Sequence, residues 1–146
     1  MKILQDDDEG NGYKEKIKKK GTCGWLLYFA ETNRILSGDS NGVISIYQEN
    51  APKGKPNDYD KTQTLLVHDW VINLLSRIDE NRFISGGVDG KVVVWEEQDK
   101  FFLQIDSIKK DRPITALLGL FDSRIVFSSD DNKIYIYKIN DSFVNI

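Results

Sequence analysis

Ser85-Gly86-Gly87-Val88-Asp89-Gly90-Lys91-Val92-Val93-Val94-Trp95 is the middle one of three copies of a single segment. Ser37-Gly38-Asp39-Ser40-Asn41-Gly42-Val43-Ile44-Ser45-Ile46-Tyr47 precedes it by 48 residues, and Phe127-Ser128-Ser129-Asp130-Asp131-Asn132-Lys133-Ile134-Tyr135-Ile136-Tyr137 follows it by 42. The same offsets superimpose Asn33-Arg34-Ile35-Leu36 on Asn81-Arg82-Phe83-Ile84 and on Ser123-Arg124-Ile125-Val126 without a gap. A fixed period of this length means that one unit cannot bury its own apolar face and stacks on a copy of itself.

The middle copy is complete. Val71–Leu75 is a short apolar strand, and the turn cluster Asp79-Glu80-Asn81 leads into a second over Arg82–Gly86. Val88-Asp89-Gly90 reads as a two-residue hairpin connection in which Asp-Gly supplies positive φ. Lys91–Trp95 and Lys100–Ile105 are then the third and fourth strands. The first copy parses the same way into Trp25–Phe29, Arg34–Ser37, Val43–Tyr47 and Thr62–Val67, with a long polar loop around Pro52 and Pro56. The third gives Ile114–Leu118, Arg124–Phe127 and Ile134–Tyr137, leaving Phe143–Ile146 for a fourth strand. Tyr13–Lys20 is expected to be a strand left over from a preceding unit.

Four short antiparallel strands per unit predict an all-β chain of β-propeller blades. Residues 1–146 form one domain on this reading: a possible strand at 13–20, blades over 21–67 and 68–109, and an incomplete blade over 110–146. Propellers close with roughly four to eight blades, so about three leave an apolar face without cover. The chain is then expected either to belong to a longer propeller or to complete a ring with further copies of itself; the end partway through a unit favours the first.

His68-Asp69-Trp70-Val71, followed by the run from Ser85 to Trp95, resembles the WD-repeat (WD40) β-propeller family. That family has a Gly-His pair before the first strand and a Trp-Asp pair after the Asp-Gly turn; here Val67 and Glu96 replace the Gly and the final Asp. The resemblance covers roughly Gly21 to Tyr137. It implies a hydrogen-bonded set of His68, Ser85, Asp89 and Trp95 that ties the blade together. The chemistry fits: the Trp95 N–H needs an acceptor, Ser85 accepts and donates onward, and Asp89 fixes the other imidazole nitrogen. The first copy has Lys20, Ser37, Asn41 and Tyr47 at these places and the third has Lys110, Phe127, Asp131 and Tyr137, so the flanking blades are expected to be softer.

The resemblance also implies where partners bind, on the face that carries the loop before each first strand and the turn between second and third strands. Trp70, Arg112, Ser40, Val88 and Asp130 occupy those positions, and Trp and Arg are frequent interface anchors. Trp70 has a second role open to it, as a cap over its own blade.

Other chemistry finds little support. His68, Ser85 and Asp89 invite a hydrolytic triad, but Ser85 sits inside a strand whose neighbours alternate into a core. Gly86-Gly87 and Gly10-Asn11-Gly12 are not followed by Lys-Ser/Thr and open no helix, so neither is a phosphate loop. With one histidine and one cysteine, metal spacing is missing and no cofactor is expected. Cys23 aligns with Val71 and Pro113 and is expected to be a small buried hydrophobe. The expected reading is a protein-interaction scaffold without enzymatic activity, taking protein or peptide partners. The alternative is nucleic-acid or acidic-surface binding through Lys14, Lys16, Lys18, Lys19 and Lys20 on the Lys14–Lys20 strand, weakened by Asp6-Asp7-Asp8-Glu9 and Glu15 nearby. A net charge of −3 gives no general attraction to nucleic acid or membrane. No run of about 18 apolar residues is present and the acidic N-terminus does not read as a signal peptide, which predicts an intracellular, cytoplasmic or nuclear, protein. Asn140-Asp141-Ser142 is then an idle glycosylation match.

Overall fold

The computed structural model describes residues 4–6, 13–15, 22–49 and 59–139. Every element among them is a strand. β1 (Leu4–Asp6) and β2 (Tyr13–Glu15) form a small antiparallel pair. The first four-stranded sheet contains β3 (Cys23–Phe29), β4 (Arg34–Asp39), β5 (Val43–Glu49) and β6 (Tyr59–Leu66). The second contains β7 (Ile72–Arg77), β8 (Arg82–Gly87), β9 (Lys91–Gln98) and β10 (Phe101–Lys109). The third has β11 (Ile114–Gly119), β12 (Arg124–Ser129) and β13 (Lys133–Lys138). All pairings are antiparallel, each strand beside its successor, and the three sheets lie side by side as propeller blades with β3, β7 and β11 nearest one another. The strand expected over Tyr13–Lys20 appears as Tyr13–Glu15, paired with Leu4–Asp6. The expected strand Phe143–Ile146, the loop around Pro52 and Pro56, and Asn140-Asp141-Ser142 lie outside the described residues.

The turn between second and third strands differs from the two-residue connection read from the sequence. In the second sheet it spans Val88, Asp89 and Gly90, closed by the Gly90 N–H on the Gly87 carbonyl at 3.1 Å, and only Gly90 takes a positive φ, +80°. A turn followed by one left-handed residue is the three-residue hairpin solution. Gly42 (φ +78°) and Asn132 (φ +63°) fill the same place in the other sheets. Asn carries a side chain yet tolerates this region, so all three turns keep one shape.

A second difference concerns register. Cys23 pairs with Asp39 as Ile72 pairs with Gly87 and Ile114 with Ser129, which aligns Cys23 with the two isoleucines and not with Val71 and Pro113. The β3–β4 hairpin holds one residue more than its counterpart in the second sheet, Leu26 pairing with Ser37 where Leu75 pairs with Ser85; Asn33 takes φ +51° in it, as Ser123 takes φ +67° at the matching place of the third sheet. Cys23 is half-buried against Tyr47, Ile35 and Tyr59.

Among the described residues no strand of one four- or three-stranded sheet pairs with a strand of another, so the sheets meet face to face and the β-branched and aromatic residues on both faces of the central strands are buried. Val92, Val93 and Val94 are wholly buried although they point alternately to opposite neighbours. One core joins Leu36, Ile44 and Ile46 of the first sheet to Ile72, Phe83 and Val93 of the second. Phe29, Phe83 and Phe102 pack there edge-on or tilted, with centroids 5.0–6.3 Å apart. A second core joins Ile84, Val92 and Val94 to Ile114, Ile125 and Phe127. At each joint an isoleucine of the incoming sheet enters the space left by a missing Cβ. A Cβ on Gly38 would lie 2.5 Å from Ile72 Cγ2, and one on Gly86 3.2 Å from Ile114 Cγ2. Polar latches hold the same joints: Arg34 to Glu97, Gln63 to both backbone groups of Phe102 at 2.7 and 2.8 Å, Asn73 to the Ile114 carbonyl at 3.1 Å, and Arg82 to Ser123 Oγ at 3.1 Å.

Candidate functional site

The loop leading into β7 carries His68 beneath the second sheet's turn, where Asp89 sits; Ser85 comes from β8 and Trp95 from β9. His68 Nδ1 lies 3.2 Å from both Asp89 oxygens, His68 Nε2 lies 2.8 Å from Ser85 Oγ, and Trp95 Nε1 donates to Ser85 Oγ at 3.0 Å. Asp89 also accepts the Asp69 N–H at 2.9 Å and the Lys91 N–H at 3.0 Å. These partners fix the proton order: a carboxylate accepts from Nδ1–H, which leaves Nε2 bare to accept from the Ser85 hydroxyl, whose oxygen accepts from the indole. All four side chains are buried.

Electrostatics agree with a neutral imidazole. Burial pulls the His68 pKa below its ordinary value, outweighing the opposite pull of Asp89. Burial pushes Asp89 upward, but the Asp69 and Lys91 N–H groups and His68 together hold it below the usual carboxylate range. Ser85 Oγ has both of its roles consumed and no solvent access, which leaves no nucleophile to activate. Among the described residues there is no group of three or more His, Cys, Asp or Glu that could hold a metal ion.

The other two sheets solve the same problem with different residues. In the first, Asp39 Oδ1 accepts the N–H groups of Asn41 at 2.9 Å and Val43 at 3.0 Å, although alignment of the copies puts Asn41 at the place of Asp89. Its signal was an Asp three residues before a turn glycine, an Asx turn. Tyr47 is buried there; burial pushes its hydroxyl's pKa up against the opposing pull of Ser45 and Ser37. In the third sheet Asp131 accepts from the Tyr135 hydroxyl, which holds the carboxyl below its usual range and raises the phenol, and Lys110 Nζ stands 3.8 Å above the Tyr135 ring. Ser129 Oγ donates toward the Arg112 and Pro113 carbonyls at 3.2 and 3.1 Å.

The five rim residues fall on the turns and loops at one end of the sheets. Ser40, Val88 and Asp130 each donate their backbone N–H, at 3.0 Å, to the carbonyl just ahead of their own sheet's first strand, on Thr22, Val71 and Pro113. Each turn also abuts the loop of the following sheet: a Cβ on Gly42 would lie 2.8 Å from the Trp70 carbonyl, and one on Gly90 3.0 Å from that of Arg112. The rim therefore alternates turn and loop from Ser40 through Trp70, Val88 and Arg112 to Asp130. Trp70 is 62% exposed, Ser40, Arg112 and Asp130 are exposed and Val88 is half-buried. A cleft of ≈410 Å³ near Val67, Gln104 and Ser107 also contains Lys91 and Lys109. Both ammonium groups are engaged, Lys91 with the Val67 carbonyl and Asp69, Lys109 with the Asp89 carbonyl. Of the Lys14–Lys20 strand, Lys16, Lys18, Lys19 and Lys20 lie outside the described residues. Among the described residues no helix is long and apolar enough to cross a membrane.

No known family's sequence profile matches the chain. Restriction of telomere capping protein 1 of Candida albicans (strain SC5314) is 34% identical over 120 residues, which span 78% of this chain and 10% of that protein. The protein of the same name in Candida tropicalis is 32% identical over 113 residues, 74% of this chain and 9% of that one. The chain thus spans about a tenth of the length of the curated relatives it matches. The crystal structure of the β-propeller domain of Myceliophteria thermophila Cps50 (Swd1) superposes with a TM-score of 0.70 at 14% identity, covering 87% of this chain and 39% of that one. That likeness establishes the propeller fold.

Proposed function

We propose that the chain is a segment of a WD-repeat-type propeller that acts as a non-catalytic scaffold inside the cell, cytoplasmic or nuclear, receiving protein or peptide partners along the rim of Ser40, Trp70, Val88, Arg112 and Asp130. One observation carries the reading: the turns and loops of successive sheets interlock into a fixed rim, from which Trp70 and Arg112 stand out to solvent. Large aromatic and guanidinium groups on a rigid frame lose little freedom on binding, which is what makes them effective anchors. The His68, Ser85, Asp89 and Trp95 set serves this frame by tying loop to turn. Similarity to a tenth of much longer proteins, named for restricting telomere capping, suits a part of a larger machine better than a self-standing catalyst.

Affinity isolation of the tagged full chain tests this, comparing the Trp70→Ala, Arg112→Ala double variant with Phe101→Ala, an exposed change on β10. Partners lost from the double variant alone, at an unchanged thermal midpoint, support the rim. Equal recovery from both removes it. The alternative, binding of nucleic acid through Lys14 to Lys20, requires affinity that falls steeply with salt; a flat salt series disposes of it.

A further inference from the structure

The cleft beside Val67 joins two features that the rim lacks, a pair of opposed lysines and an open sheet edge. Lys91 and Lys109 stand directly across from one another on β9 and β10, and like charges so placed destabilise a sheet. Lys109 Nζ donates to the Asp89 carbonyl, and Lys91 Nζ to the Val67 carbonyl at 3.1 Å and to Asp69 at 2.8 Å. Of the two charges, only that of Lys91 meets a carboxylate among the described residues. An ammonium carries three donors, so Lys109 keeps two for a ligand and Lys91 one. The bulge between Gln104 and Asp106 re-aims the end of β10, so that Gln104, Ser107 and Lys109 pair with Trp95, Val93 and Lys91 and share their face. Val93 and Trp95 belong to the core built with the first sheet, and this face is therefore the one that borders the cleft.

β10 is also the outer strand of its sheet. One side pairs with β9, and no strand of the described residues pairs with the other. At Phe102 that open edge is closed by the Gln63 carboxamide of β6, which makes to both backbone groups the two bonds a neighbouring strand would make. From Gln104 to Lys109 the edge borders the cleft instead, and Gln104, Ser107 and Lys109 are exposed.

We propose that this edge receives an extended acidic peptide of a protein partner, laid along β10 from Gln104 to Lys109 with a glutamate side chain in the cleft. Strand addition draws affinity from main-chain bonds and specificity from pockets that take alternate side chains. Charge complementarity selects the occupant: the glutamate methylenes lie on Val67 and Val93, and the carboxylate meets Lys109 and Lys91 and relieves their repulsion. A neutral or basic strand leaves two ammonium groups opposed at a desolvated contact, which costs energy. The site is separate from the rim of Trp70 and Arg112 and needs neither of them.

The test is fluorescence anisotropy on the full chain, with a fluorescein-labelled peptide of alternating Glu and Thr as probe and the same peptide with Gln for Glu as its neutral counterpart. The Glu probe should bind saturably and about tenfold more tightly than the Gln probe. N-methylation of either its Glu or its Thr residues, whichever set faces β10, should abolish binding while methylation of the other set leaves it intact. Lys109→Gln should weaken the Glu probe about tenfold and leave the Gln probe unchanged; the comparison between probes uses the unaltered chain and stands whatever that variant does to folding. Equal binding of Glu and Gln probes, or no saturable binding, overturns the proposal. Tolerance of both methylated sets removes the strand, and displacement of the probe by inorganic phosphate overturns it in favour of a small-anion site. A dimer in light scattering that Lys109→Glu dissociates overturns it in favour of a second copy. The Trp70→Ala, Arg112→Ala double variant should bind the Glu probe unchanged; loss there assigns acidic peptides to the rim instead, so failure of the scaffold reading and failure of this one are separable.

Discussion

The second and third sheets follow one pattern yet hold their loops to their turns by different means. In the second, an unbroken chain of donors and acceptors runs from the Trp95 indole through Ser85 and His68 to Asp89. In the third, a lysine stands over a ring and a serine reaches two carbonyls. The first arrangement is buried, and losing any member orphans the others; the second is partly solvated, so water replaces what a substitution removes. The comparison teaches that the turn's backbone shape, shared by Gly90 and Asn132, does not require the buried chain. What the buried chain adds is a direct tie from loop to turn in the sheet whose strands contribute to both cores.

Breaking the core of the second sheet should have the largest effect. Phe83→Ala removes a ring packed against Phe29, Trp95 and Phe102 and is expected to cost about 3–5 kcal/mol in chemical denaturation. His68→Ala should cost about 1–3 kcal/mol by leaving Asp89 and Ser85 short of a partner, while Lys110→Ala at the matching place should cost no more than about 1 kcal/mol. Equal losses from those two variants would erase the distinction between the sheets. Val92→Ala should cost about 2 kcal/mol, whereas Ile134→Ala at its exposed counterpart should stay within about 0.5 kcal/mol.

The smallest effect is a pH slope. His68 is the one histidine in the chain, and its pKa is depressed in the folded state. The unfolded chain therefore binds a proton first as pH falls below the ordinary imidazole value. Stability should be level above about pH 7 and decline below about pH 6.5. His68→Gln should flatten the thermal midpoint between about pH 7 and pH 5; a slope that survives must come from the carboxylates.

Much of this architecture was legible because strand identity is a local property. The runs Val43–Tyr47 and Lys91–Trp95 are β-branched and lie beside turn residues, and the offsets of 48 and 42 place them without any knowledge of contacts. Register in β3 was not legible. The additional residue in the β3–β4 hairpin leaves no mark in composition; only the pairing of the two strands reveals it. Turn type was misread for a related reason, since Asp-Gly suits both a two-residue and a three-residue connection. The roles of Asp39 and Tyr135, and the pair Arg34–Glu97, depend on distances between segments that no period encodes. Exposure of Trp70 likewise followed from how the loops stack, not from its residue type.

Gly42 and Gly90 meet two demands at once, a left-handed backbone and a carbonyl of the following sheet pressed to 2.3 Å and 2.2 Å of where a Cβ would be. Asn132 meets only the first. Its side chain stands where the other two turns admit a carbonyl, so the third turn accepts a Cβ that the places of Gly42 and Gly90 do not.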